Sequence, residues 1–232
     1  MNSALFRRLA ATLCLAALAA CSGSNGGALI GSSDQAAKSN SRPAGSCAAP
    51  IFNNFFGPPS AIYLAGGGWP VNGIGAPPSV GGGIAVAMKF VNPPPPETLC
   101  LIQVALSYNG VGINQVKVAL YSSDPKTGNV GKLVPGAVWS PIKGLPAYGT
   151  CCVVQSLVPR KGVVINIPAG AFWLAAFAPN ADKTRAATQD KWNYCNPPAS
   201  GNCNGPVSTW NGKKWTMVPS VRAQGAFAVY PN

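Results

Sequence analysis

From residue 84 onward the chain alternates apolar side chains with small or polar ones. Ile84, Val86, Met88 and Phe90 share one face of an extended segment, and Ile102, Val104, Leu106 and Tyr108 share one face of another. Val116, Val118 and Leu120 repeat the pattern, with Lys117 and Tyr121 opposite. Val163, Ile165 and Ile167 follow, then Phe172, Leu174 and Ala176, and near the end Phe227 and Val229. A period of two is that of a half-buried strand. Turn signals separate the runs: Gly81-Gly82-Gly83, Asn109-Gly110, Asp124-Pro125-Lys126-Thr127-Gly128 and Asn211-Gly212. Asn92 to Glu97 encloses four prolines and reads as a stiff polyproline spacer. No segment beyond residue 50 carries a long 3.6-residue period, and no repeat of solenoid or propeller length is present. The expectation is an all-β sandwich or barrel over residues 47–232, with connectivity left open.

The N-terminus has a different pattern. Arg7 and Arg8 precede an uncharged apolar run, Leu9 to Ala20. That run is too short to span a bilayer, which needs about 20 apolar residues, and reads as a signal peptide over residues 1–20. Its end, Leu18-Ala19-Ala20-Cys21, resembles the lipobox of bacterial lipoproteins. The resemblance implies a diacylglycerol on the Cys21 thiol and cleavage just before it. Each buried methylene contributes about 0.8 kcal/mol, so two or three acyl chains would hold the protein firmly. Ordinary secretion with cleavage after Ala20 is the alternative; Leu18 in place of a small residue argues against it. Ser22, where inner-membrane retention would have Asp, implies the outer membrane by resemblance to Gram-negative lipoproteins. Residues 22–46 are rich in Ser, Gly, Asn and Ala and predict a flexible tether, roughly 25–30 Å in typical span.

Composition narrows the partners. Charged residues make up 9%, against roughly 25% in an average globular protein. Gly (27) and Pro (23) favour short strands and turns over helices. Lys and Arg number 17 against 5 Asp and Glu, a formal charge of +12 that falls by two when Arg7 and Arg8 leave. Such a surface favours anionic partners, from lipid headgroups to acidic polysaccharide. The basic residues are scattered and form no recognised nucleic-acid motif, so specific nucleic-acid binding is not expected.

Of eight cysteines, Cys14 leaves with the signal and Cys21 takes the lipid. Cys47, Cys100, Cys151, Cys152, Cys195 and Cys203 remain, an even set that predicts up to three disulfides in an exported chain. Cys195 and Cys203 are expected to close a local loop. Adjacent Cys151 and Cys152 would point to opposite faces of a strand and so reach different partners, Cys47 and Cys100. A vicinal 151–152 bond is the alternative. With no Cys-x-x-Cys and no histidine, a metal site is not expected, nor is any other cofactor.

The absence of histidine also removes Ser-His-Asp and Cys-His catalysis. Asp34 lies in the tether. A hydrolase would need two of Glu97, Asp124, Asp182 and Asp190 in one cleft; the expectation is that they are solvated loop acids. Gly66-Gly67-Gly68 and Gly81-Gly82-Gly83 lack the following helix of a phosphate loop and read as turns. The binding candidates are aromatic: Trp192, Tyr194, Trp210 and Trp215, within a polar stretch that also holds Asn193, Asn211, Lys213 and Lys214. Rings on loops stack on sugars while amides and ammonium groups fix hydroxyls. The alternative is that these rings cap the sandwich edge. Trp69, Trp139 and Trp173 sit in strand-like surroundings and are assigned to packing.

Ile113-Asn114-Gln115-Val116-Lys117-Val118-Ala119-Leu120-Tyr121-Ser122 before a Gly-rich turn, then Ile167-Pro168-Ala169-Gly170-Ala171-Phe172-Trp173-Leu174, Trp210, Trp215 and Phe227-Ala228-Val229 together resemble jelly-roll modules of bacterial exported proteins, of the galactose-binding-like and choice-of-anchor type. The resemblance spans roughly residues 84–230. It implies a sandwich at the cell surface or in the periplasm, and no catalytic residues. The expected function is that of a lipid-anchored, non-catalytic binding or structural domain, with carbohydrate or another cell-envelope component as ligand. An envelope-assembly or adhesion component binding acidic partners is the alternative, and the oligomeric state is open.

Overall fold

The computed structural model describes residues 47–76, 84–178, 188–197 and 203–232. The signal peptide, Cys21, the tether, Gly81-Gly82-Gly83 and Asp182 lie outside the described residues. The strands are β1 Phe52–Asn53, β2 Tyr63–Asn72, β3 Ala85–Asn92, β4 Glu97–Val104, β5 Leu106–Val111, β6 Gln115–Ser123, β7 Val130–Lys143, β8 Gln155–Leu157, β9 Asn166–Ile167, β10 Gly170–Phe177, β11 Gln189–Cys195, β12 Asn204–Gly205, β13 Val207–Trp210, β14 Trp215–Met217, β15 Arg222–Ala223 and β16 Phe227–Pro231. No helix occurs among the described residues, and the strand ladders are antiparallel. The all-β, sandwich-like, disulfide-stapled architecture is as the alternation predicts.

One layer is a six-stranded sheet in the order β14-β13-β3-β10-β6-β7. Its inner face carries Val86, Met88 and Phe90, Phe172, Leu174 and Ala176, and Val116, Val118 and Leu120, all buried in one core. Facing it are the sheet β1-β16-β4-β8, with β9 on β4, and the sheet β2-β11-β5. These supply Ile102, Val104, Phe227 and Val229, and Val71, Leu106 and Trp192, to the same core. Phe52 stacks on Phe227 at 4.4 Å between centroids, and Phe90 meets both Phe172 and Phe227. Burying such side chains at about 25 cal/mol per Å² is the main force closing the two layers.

Several expectations are corrected. The run Ile102–Tyr108 is two strands in different sheets, parted at Ala105, whose N–H bonds to Ala226. Only Asn166–Ile167 of the 163–167 segment is strand; Ile165 and Ile167 are buried while Val163 is exposed. Gly66-Gly67-Gly68 is not a turn but the middle of β2, and Asn109-Gly110 lies within β5, which runs on to Val111.

The disulfides correct another. Cys47 pairs with Cys100, and Cys151 with its neighbour Cys152. The expectation of different partners for 151 and 152 assumed a strand, but the segment lies in irregular chain between β7 and β8, where side chains need not alternate. Cys195–Cys203 forms as expected. The Cys47–Cys100 bridge ties the first described residue to β4, while Ala48 donates to the Pro231 carbonyl, so both ends of the domain are fixed to the β16–β4 ladder.

Candidate functional site

The candidates separate into two places. The first is the hairpin β13–β14. Asn211 Oδ1 accepts hydrogen bonds from the Lys213 and Lys214 N–H groups, each at 3.0 Å, and Gly212 supplies a φ of +92°. This Asx-type turn brings Trp210 directly opposite Trp215, with ring centroids 5.5 Å apart. The amide oxygen of Asn211 is therefore engaged in the turn.

Register carries the pair across the sheet. Trp215 opposes Trp210, Trp210 opposes Ala85, Ala85 opposes Phe177, and Phe177 opposes Lys117. Directly paired residues point to the same side, so this row lies on the face turned away from the main core. The next same-side positions are small: Ser208, Ala87, Ala175 and Ala119. Over that stripe the Trp215 indole reaches Phe177 at 5.8 Å and Tyr121 at 6.2 Å, both edge-on. Lys117 Nζ stands 4.3 Å from the centre of the Phe177 ring, a cation–π contact. Trp210, Trp215, Phe177, Tyr121 and Lys117 are all half-exposed, while Asn211, Lys213 and Lys214 are exposed.

The rest of this face is covered by the β6–β7 turn. Asp124 Oδ1 accepts from the Lys126 and Thr127 N–H groups and the Thr127 hydroxyl, which holds its carboxyl below the usual carboxylate range. Asn129 ties the turn to the hairpin: its Nδ2 donates to the Trp215 carbonyl and its Oδ1 accepts from Ser208 Oγ at 2.8 Å. Lys89 donates to the Gly128 carbonyl and lies over Trp173. Trp173 is buried here with Ala87, Ala175 and Val130 in a satellite core.

The second place is the sheet β2-β11-β5. Trp192, at 0% exposure, is sealed in the main core, donating Nε1–H to the Ala226 carbonyl at 3.0 Å. It presents no face to a ligand, which removes it from the binding set. Asn193 is buried too, accepting from Ser107 Oγ. Tyr194 is half-exposed, edge-on to Trp69 at 6.3 Å and packed on Gly67. Beside it runs an open groove of about 390 Å³, lined by Tyr63, Leu64, Gly66, Gly67, Cys151 and Asn196. Tyr63 braces its wall: Oη donates to the Thr150 carbonyl and accepts from the Val153 N–H, each at 3.0 Å, spanning the Cys151–Cys152 pair. Tyr194 packs on Gly67 at the groove's border, in a different sheet from Trp210 and Trp215.

Among the described residues the carboxylates lie in separate elements: β4, the β6–β7 turn and β11. Glu97 opens β4 opposite Ile167, and Asp124 is tied into its own turn. Asp190 is not a loop acid. It lies in β11 between Val71 and Tyr108, at 0% exposure, with no hydrogen-bond partner on either oxygen. Desolvation pushes its pKa up to about 8. No cluster of three or more His, Cys, Asp or Glu that could hold a metal occurs among the described residues. The signals that pattern reading lacks are the contributions of Phe177, Tyr121 and Lys117, which sequence distance separates from the hairpin and only strand register brings to it. Comparison with family models, characterised proteins and solved structures yields no match to this chain.

Proposed function

We propose that the chain is a lipoprotein anchored through Cys21 in the outer membrane, whose β-sandwich binds glycans of the cell envelope or cell surface without catalysis. The anchor rests on Arg7-Arg8, the apolar run to Ala20 and Leu18-Ala19-Ala20-Cys21. The glycan reading rests on one observation: four half-exposed aromatic rings, Trp210, Trp215, Phe177 and Tyr121, gathered on one sheet face with a lysine at their margin. Such rings offer apolar faces to the C–H side of a sugar, and polar neighbours at the margin engage hydroxyls.

A glycan array probed with the full chain tests the binding. Expected is selective retention that Trp210→Ala and Phe177→Ala abolish while far-UV circular dichroism stays unchanged. Absence of binding, or binding indifferent to both substitutions, rejects it. Intact-mass measurement on membrane-extracted protein tests the anchor, with a mature chain that starts at an acylated Cys21 as the expected product.

A further inference from the structure

Among the described residues, the charges around the aromatic row are one-sided. Lys117 ends the row on β6, Lys213 and Lys214 form the hairpin turn beside Trp210 and Trp215, and Lys126 sits in the β6–β7 turn that covers the same face. Among the described residues, one carboxylate stands against these cations, Asp124, whose Oδ1 already accepts three hydrogen bonds within its own turn. Glu97 belongs to the facing layer, and Asp190 is enclosed at 0% exposure, away from the outer face. Lys117 Nζ lies over the Phe177 ring, and Lys213 and Lys214 are exposed in the turn that directly joins Trp210 to Trp215.

Length matters as well. The ring centroids step 5.5 Å from Trp210 to Trp215 and 5.8 Å from Trp215 to Phe177, and Lys117 Nζ lies 4.3 Å from that last ring. The row is longer than one sugar ring and suits a chain of them. With cations at both ends of a stacking surface, the row matches a polymer that alternates apolar ring faces with negative groups.

We infer that the outer face of the six-stranded sheet binds an anionic polysaccharide, its sugar rings lying along Trp215, Trp210 and Phe177 and its acidic groups meeting Lys117, Lys213 and Lys214. This inference rests on the glycan reading above and specifies its ligand class. The acidic groups are carboxylates, as in uronic acid sugars.

The test compares three probes of equal length binding to the full chain: a neutral glucose oligomer, a uronic acid oligomer and oligothymidylate. Expected is a preference of about tenfold or more for the uronate over the neutral oligomer in about 0.01 M salt. The preference should collapse near 1 M salt, where the Debye length falls from about 30 Å to about 3 Å. Lys117→Gln, and separately Lys213→Gln with Lys214→Gln, should each weaken uronate binding severalfold and by a clearly larger factor than they weaken neutral binding. These exposed or half-exposed positions leave the fold intact, which thermal melting would verify. Equal affinity for neutral and uronate oligomers overturns the inference while the glycan reading stands. Binding to neither sugar overturns that reading itself. Tightest binding to oligothymidylate overturns both, since bases stack on such rings as readily as sugars.

Discussion

Trp215, on the edge strand of the six-stranded sheet, lays the edge of its indole against Phe177, three strands away, with ring centroids 5.8 Å apart. The reach is possible because the positions beneath are Ala85, Ala87 and Ala175. A larger residue in that stripe would lift the indole off the sheet. The contact makes Trp215 both a part of the exposed aromatic surface and the cover of a satellite core.

Trp215→Ala should therefore cost about 2–3 kcal/mol of stability, below the 3–5 kcal/mol of a fully buried aromatic because the ring is half-exposed. Trp210 meets one aromatic ring among the described residues, Trp215, and Trp210→Ala should cost about 1 kcal/mol. Urea denaturation midpoints at constant m-value measure both. Equal losses would show that Trp215 does not span the stripe.

The alternation along β3, β6, β10 and β16 made the sandwich and its main core legible, because burial on one face imposes a period of two. The hairpin at Asn211-Gly212 was legible from local turn chemistry. What was not legible depends on contacts remote in sequence. Nothing local distinguishes Asp190, inside the core, from a solvated acid, nor Trp192, sealed at Ala226, from the half-exposed Trp210. The Cys151–Cys152 bond ranked only as the alternative because face alternation, which holds only in a strand, was applied to irregular chain. Lys117 and Phe177 joined the site only through the β6–β10 register.

Asp190 predicts how stability depends on pH. Its carboxyl titrates at about 8 in the folded chain, against about 3.9 when unfolded. Between these values the folded state holds one more proton than the unfolded state. Stability should therefore fall as pH rises from about 4 to about 8, by several kcal/mol in total, and level off above. Asp190→Asn keeps the shape and stays neutral, so it should remove this slope and exceed the native chain in stability at pH 8. Chemical denaturation at pH 5, 6.5 and 8 measures the slope, and a variant with the native pH dependence would exclude Asp190 as its source.

The three disulfides should contribute unequally. In the chain-entropy picture, a bridge across a separation of 53 residues, Cys47–Cys100, stabilises by about 4 kcal/mol, and one across 8, Cys195–Cys203, by about 2.5 kcal/mol. The bond between neighbours Cys151 and Cys152 closes almost no chain and should contribute least to global stability. Paired Cys→Ser variants compared by thermal unfolding should rank in that order. A larger loss at 151–152 than at 195–203 would mean that the brace from Tyr63 to Thr150 and Val153 depends on the bond between the two cysteines.

Gly225 lies directly beneath Trp192. A Cβ on Gly225 would stand well inside 3.0 Å of the indole atoms Cδ1, Cγ and Nε1. The neighbouring Gly225 N–H and carbonyl are themselves held, by Met88 Sδ and Asn54 Nδ2, so the backbone has little freedom to retreat. Gly225→Ala should therefore cost on the order of 3–5 kcal/mol through overpacking, at the upper end for a single methyl. Trp192→Leu alone should cost a similar amount by opening a cavity. Combined, the two should cost clearly less than their sum, because the smaller side chain leaves space for the added methyl. A double-mutant cycle in urea reads this coupling; strict additivity would show that the indole does not rest on Gly225.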